Sequence, residues 1–225
     1  LNVRVRVTGR FSNAYATSAI AKPENLVVLP DFLDDKPFPG EPLGIAMNIF
    51  ERSAIKRKQT VAVVGCSFLG LLIIQLAKGA GAKVIAVSHR KSSLDSALFC
   101  GADKAIPMDD PSDIIEKVKI FSNGKYCDRV LECTGEEGPL NLSRELTAEK
   151  GKLIVAGYHK DGMNTTNPQK LNKDGVDLIT AYEREDTQYI SGIKKAIEAI
   201  QTGKMDPFPL FTHAFALEEI NSALN

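Results

Sequence analysis

Valines at positions 3, 5 and 7 alternate with Asn2, Arg4, Arg6 and Thr8, the period-two pattern of a half-buried strand. Gly9 breaks it. Residues 11–21 read as a further strand or extended pair, Lys22-Pro23-Glu24-Asn25 as a turn, and residues 26–29 as a short strand. Four prolines, three aspartates and one glycine between positions 30 and 42 mark a loop. Pro42 then opens a helix, because its missing N–H falls where a helix leaves donors unpaired. Leu43, Met47, Phe50 and Ala54 share one face of that helix. From residue 60 the rhythm changes. Apolar runs at 60–64, 83–87, 105–106, 128–133, 152–156 and 176–180 predict six strands. Helix-length segments at 68–80, 92–100, 113–121 and 139–148 lie between them. A long helix over 189–202 ends at Gly203, and 217–224 is helical in pattern. Apolar strands without alternation belong to a sheet covered on both faces, hence a parallel one. Right-handed crossovers then give an α/β, doubly wound, six-stranded sheet.

Length and charge narrow the class. At 225 residues the chain holds one large domain, or one plus part of another. Lys+Arg and Asp+Glu are equal at 28 each, so no global field favours nucleic acid or an anionic membrane as partner. No apolar run reaches the roughly 18 residues of a membrane span, and the opening LNVRVRVTG is not a signal peptide. Cys66, Cys100, Cys127 and Cys133 have neither CxxC nor zinc-ribbon spacing, which predicts reduced core thiols in a cytoplasmic protein. The chain starts without methionine in β structure and stops inside a helical pattern, so both ends are read as cut.

The chemistry concentrates in residues 60–91. Between the first apolar run and its helix stands Gly65-Cys66-Ser67-Phe68-Leu69-Gly70, a G-x-S-x-x-G turn. In the dinucleotide fingerprint the first glycine makes the tight turn and the third lets helix and strand pack closely. Gly65 and Gly70 fill those places. Ser67 stands where a second glycine lets the backbone approach a pyrophosphate, and its hydroxyl either donates to a phosphate oxygen or weakens binding. An acidic residue about 20 positions past the first glycine normally takes the ribose hydroxyls of NAD. Here that place is Ser88, 23 residues after Gly65, followed by His89 and Arg90. A hydroxyl beside a guanidinium suits a 2′-phosphate, so the expected cofactor is NADP(H), with NAD possible. Gly65, Ser88, Thr134 and Gly157 all fall at strand ends around one predicted crevice.

Several motifs together resemble the medium-chain dehydrogenase/reductase superfamily, in particular its zinc-type alcohol and polyol (sorbitol-like) dehydrogenases. They are F-P-G-E-P-L-G at 38–44, the 61–72 glycine turn, E-C-T-G at 132–135, L-I-V-A-G-Y-H at 153–159 and L-F-T-H-A-F-A-L-E-E-I-N at 210–221. The resemblance implies that residues 1–42 are the end of a β-rich GroES-like catalytic domain. Residues 43–190 are then the NAD(P)-binding Rossmann domain, and 191–225 a linking helix and partial return to the catalytic domain. It also implies that the zinc ligands, a Cys, a His and a Glu or second Cys, lie in a segment these residues do not include. Of that site only Glu41 remains, as a metal ligand or water-mediated partner, or else as a capping carboxylate at its helix start. Thr134 and Gly135 would lie along the nicotinamide ribose, and Gly157 with Tyr158 would face the carboxamide. His159 is either a proton shuttle facing substrate or a surface histidine beside a Lys160-Asp161-Gly162 turn, and Glu132 reads as a buried carboxylate with a backbone or arginine partner. His213 reads as packed or hydrogen-bonded. Ser67 and Ser93 depart from the family pattern around the cofactor.

The activity implied is NADP(H)-dependent hydride transfer between an alcohol and its ketone or aldehyde, with a small-molecule substrate and zinc in the full-length protein. These residues alone would bind cofactor without turnover. The alternatives are a zinc-independent quinone or enoyl reductase of the same superfamily and a non-catalytic nucleotide-binding module. A homodimer joined near residues 176–180 is implied by the same resemblance.

Overall fold

The computed structural model describes residues 6–9, 18–159, 168–181, 183 and 185–223. The expectations for residues 2–5, 11–17, 160–162 and 224–225 therefore lie outside the described residues. By packing the chain divides into two units, Leu1–Ile45 with Glu183–Asn225, and Ala46–Tyr182.

Strands β1 (Val7–Gly9) and β2 (Leu26–Val28) pair antiparallel in the first unit. The Arg6 guanidinium donates to the carbonyls of Leu33, Asp34 and Lys36, which fixes the proline-rich loop. Helix α1 (Gly40–Ser53) starts two residues before Pro42, so the proline occupies the first turn rather than its opening position. Its missing N–H costs nothing there, since first-turn donors have no helical partner.

The second unit carries the sheet. Strand β3 (Thr60–Val64), helix α2 (Phe68–Gly79), β4 (Lys83–Ser88), α3 (Lys91–Phe99) and β5 (Lys104–Pro107) wind in one direction. Helix α4 (Pro111–Phe121), β6 (Cys127–Glu132), α5 (Glu137–Leu146), β7 (Thr147–Val155), α6 (Pro168–Asp174) and β8 (Asp177–Thr180) continue in the other. The six strands are all parallel, in the order β5-β4-β3-β6-β7-β8. This is the six-stranded α/β architecture that the apolar rhythm predicts. Its order reverses between β3 and β6, where a doubly wound sheet opens a crevice beyond its carboxyl ends.

Residues 61–64 of β3 and 84–87 of β4 are fully buried, as are Val130, Leu131, Leu153 and Ile154. Each of the valine, leucine and isoleucine side chains among them contributes about 1.5–3 kcal/mol of burial. A large core on one face joins Ala62, Val64, Ile85, Val87, Val130 and Leu153 to Ile114, Val118 and Leu146 of the flanking helices. Arg129 ties the end of α1 to the sheet, its Nε donating to Ser53 O at 2.8 Å.

Several elements differ from the sequence pattern, and residues 18–21, read as the end of a strand, form none. Strand β7 begins at Thr147, where the pattern continues the preceding helix to 148. Its pairing with β6 shifts register between Cys127 and Arg129, and Lys150 sits at φ 57, so the early part of β7 is irregular in a way period-two reading misses. Helix α6 leaves no trace in the sequence pattern, because PQKLNKD has no apolar periodicity.

In the first unit, helix α7 (Asp186–Gln201) buries Ile190 and Ile193 against Val27, with Phe38 and Ile197 at the margin. Helix α8 (Ile220–Ala223) follows. No helix among the described residues is long and apolar enough to cross a membrane.

Candidate functional site

The end of β3 is fixed by Gly65, whose φ of +96 only glycine adopts without strain. Its N–H donates to Val87 O at 2.8 Å, which stitches the turn to the end of β4. Ser67 is the N-cap of α2 in extended conformation and is exposed, with its side chain making no cap hydrogen bond. A Cβ on Gly70 would stand 2.1 Å from Gly65 O, so helix and strand approach too closely for any side chain there. The turn thus aims the first N–H groups of a 12-residue helix outward at the carboxyl end of the sheet. Such a terminus carries positive partial charge and N–H groups directed outward, which suit a phosphate.

Beside it, β4 delivers the basic tip. Ser88 is buried, and its carbonyl accepts from Met108 N–H at 3.0 Å. His89 and Arg90 are exposed, Arg90 as N-cap of α3. Ser93 is buried one turn on. No carboxylate stands at positions 88–93.

On the other side of β3, the ends of β6 and β7 are held by one side chain. Glu132 is fully buried. Its Oε1 accepts from Thr134 N–H at 2.5 Å, from Gly135 N–H at 2.9 Å and from the Thr134 hydroxyl. Its Oε2 lies 2.9 Å from His159 Nε2. Its backbone carbonyl accepts from both Ala156 and Gly157 N–H at 2.8 Å. The two strand ends are close enough that a Cβ on Gly157 would lie 2.2 Å from Gly135 N. Thr134 also abuts the glycine turn, since a Cβ on Gly65 would meet Thr134 Cγ2 at 2.7 Å.

The structure therefore gathers Gly65, Ser67, Phe68, Leu69, Gly70, Ser88, His89, Arg90, Thr134, Gly135, Gly157, Tyr158 and His159 at the carboxyl ends of β3, β4, β6 and β7 within one unit. Tyr158 is 75% exposed, so what it offers a ligand there is backbone and an uncovered ring. Glu132 has the backbone partners expected of a buried carboxylate, and in addition His159, a partner that no local spacing signals. The two lie 27 residues apart, and only the register that sets Glu132 opposite Val155 brings them together. The His159 side chain keeps 15% exposure, less than a free surface histidine, because the carboxylate draws it inward.

Glu41 is the second residue of α1, exposed, and belongs to the other packing unit. Among the described residues no group of three or more His, Cys, Asp or Glu side chains is placed to hold a metal ion, so they do not make a zinc site by themselves. His213 is exposed, its Nδ1 2.8 Å from the Thr212 hydroxyl and its ring stacked on Phe215.

All four cysteines are free and buried. Burial pushes the Cys66 thiol from 9.0 up to about 12 and also raises Cys127 and Cys133. Thiolate is the reactive form. A chromogenic disulfide reagent at pH 8 is thus expected to titrate none of the four in minutes in the native protein, and all four after unfolding. A native thiol that reacts at once would contradict this. The sign of the linkage follows: thiols ionise more readily in the unfolded chain, so stability falls as pH rises above 9.0, toward about 12 for Cys66.

Known proteins place this geometry. The sequence model of the family described as zinc-binding dehydrogenase matches residues 69–201. An L-threonine 3-dehydrogenase of Bacillus licheniformis is 31% identical over 80% of this chain and 51% of its own length. A sorbitol dehydrogenase of Halalkalibacterium halodurans is 26% identical over 93% of this chain and 61% of its own. The chain thus spans between half and two thirds of the length of these relatives. Among solved structures, a zinc-dependent alcohol dehydrogenase of Streptococcus pneumonia superposes with TM-score 0.78 at 22% identity, covering 88% of this chain and 56% of that one. A zinc-binding dehydrogenase of Sinorhizobium meliloti bound to NADP superposes with TM-score 0.77 at 23% identity, covering 89% of this chain and 58% of that one. These two likenesses concern the fold. The family match itself runs from the first turn of α2 to the end of α7, more than half of the residues, and by it this chain belongs to the zinc-binding dehydrogenase family.

Proposed function

We propose that this chain is the nucleotide-binding part of an NADP(H)-dependent alcohol or polyol dehydrogenase. The observation that carries the reading is the Gly65–Gly70 turn. Its positive φ and its closed helix–strand contact admit no side chain at either glycine, and it ends in an open helix N-terminus beside an exposed basic tip. The residues fit a phosphorylated dinucleotide. Backbone N–H groups at Ser67, Phe68 and Leu69 would take the pyrophosphate, and Ser88, His89 and Arg90 the adenosine ribose with its 2′-phosphate. Thr134, Gly135, Gly157 and Tyr158 would line the nicotinamide half. The cofactor, when bound, supplies the hydride chemistry, while these residues orient it. The NADP in the Sinorhizobium structure and the sorbitol dehydrogenase relative support the cofactor and the polyol class. No step through zinc is assigned to the described residues, because they form no ligand group.

Fluorescence titration of this chain with NADPH and NADH side by side tests the reading. NADPH is expected to bind about tenfold more tightly or better, the worth of one charge-assisted contact. NADH binding as tightly as NADPH would sink the 2′-phosphate assignment, and binding of neither would sink the nucleotide reading.

A further inference from the structure

We propose that Glu132 is the positioning residue of the nicotinamide half of the site, with His159 as the group it holds there. The proposal rests on the nucleotide reading of the Gly65 turn. The sheet order supplies the direction. With the pyrophosphate at the β3 turn and the adenosine ribose at the β4 tip, the second nucleotide crosses to the other side of β3, over β6 and β7.

At that spot a fully buried carboxylate is an unusual choice, since burying one costs several kcal/mol unless it is fully paired. Here its pairing is divided between two separate segments of the crevice. Oε1 gathers the Thr134 and Gly135 N–H groups and the Thr134 hydroxyl, and so sets the turn after β6. Oε2 takes the His159 ring, on the segment after β7. Gly135 and Gly157 have no side chains because the two segments touch, a Cβ on Gly157 also falling 2.9 Å from Glu132 Oε2. The carboxylate thus couples the turn that abuts Gly65 to the imidazole at the far side.

The arrangement also fixes a tautomer. A ring nitrogen facing a carboxylate carries a hydrogen, so His159 bears one on Nε2. In Glu132→Gln the amide oxygen must stay with the two backbone N–H donors. The amide NH2 then faces His159 and turns Nε2 into the acceptor.

The test compares the wild-type chain, Glu132→Gln and His159→Phe with two ligands. One is NADPH. The other is 2′-phospho-ADP-ribose, which keeps the adenosine, 2′-phosphate and pyrophosphate and lacks nicotinamide. Nitrogen-15 shifts of the imidazoles report the tautomer in the absence of ligand. The expected result is an Nε2–H ring in wild type and an Nδ1–H ring in Glu132→Gln. Both variants are expected to lose about tenfold in NADPH affinity, the worth of one charged hydrogen bond, while 2′-phospho-ADP-ribose changes less than about twofold. Equal losses on both ligands would show a purely structural carboxylate and overturn the proposal. So would unchanged NADPH binding, or an Nδ1–H ring in wild type. If circular dichroism shows Glu132→Gln unfolded, His159→Phe decides by the same criterion. Wild type binding neither ligand removes the nucleotide reading itself, and that failure is visible before any variant is made.

Discussion

Replacing Gly70 by alanine is expected to lower NADPH affinity by at least tenfold and to cost about 2–3 kcal/mol of stability, roughly 5–10 °C in Tm. The reason is contact alone. Gly70 is helical and has no unusual φ, yet its Cβ would stand 2.1 Å from Gly65 O and 3.1 Å from Gly65 C. Both are backbone, so no rotamer relieves the clash. Helix α2 has to back away from β3 by about 1 Å to reach ordinary contact distance. That movement withdraws the N–H groups of the first turn from the phosphate and loosens a core in which Leu72, Ile73 and Ile74 are fully buried. Gly138→Ala is the control. Gly138 lies in the first turn of α5, exposed, with no positive φ and, its chain neighbours and the turns of its own helix aside, nothing within 4 Å of its Cβ position. Alanine there is expected to shift stability by less than about 1 kcal/mol, since helix propensity and the crowding before Pro139 oppose one another, and to leave affinity unchanged. Differential scanning calorimetry with nucleotide titration checks both. A folded Gly70→Ala chain with wild-type affinity would remove the turn from the site.

Arg90→Glu carries the second large effect. NADPH affinity is expected to fall by about 10- to 150-fold, the equivalent of losing a charge-assisted hydrogen bond of about 1.5–3 kcal/mol. NADH affinity is expected to stay within about twofold. Arg90 is exposed at the N-cap of α3, so its loss removes no core packing and the fold is expected to persist. The site is open to solvent, and added salt narrows the difference between the two nucleotides by screening. Parallel titrations at low and high salt read both. Equal losses for the two nucleotides would show that Arg90 acts on something other than a 2′-phosphate.

The sequence carries much of this protein. Apolar runs without alternation, clearest in β3 and β4, separated by helix-length segments, point to a parallel sheet covered on both faces. The glycine turn is legible because each glycine meets a local demand, a positive φ at Gly65 and a helix–strand contact at Gly70. The basic tip is legible because it directly follows its strand. What stayed hidden has a different physical origin. Helix α6 lacks apolar periodicity, and the start of β7 is set by a register shift against β6 rather than by its own pattern.

Glu132 and His159 show the limit most clearly. Taken singly, one is a carboxylate ending a buried strand and the other a histidine beside a turn. Neither residue type nor local spacing pairs them. The parallel register of β6 and β7 does, by bringing positions 27 residues apart to 2.9 Å. Local chemistry written along the chain fixed the strands, the phosphate turn and the basic tip. Tertiary structure alone decided which carboxylate meets which imidazole, because that depends on strand order and register, which no short stretch of sequence contains.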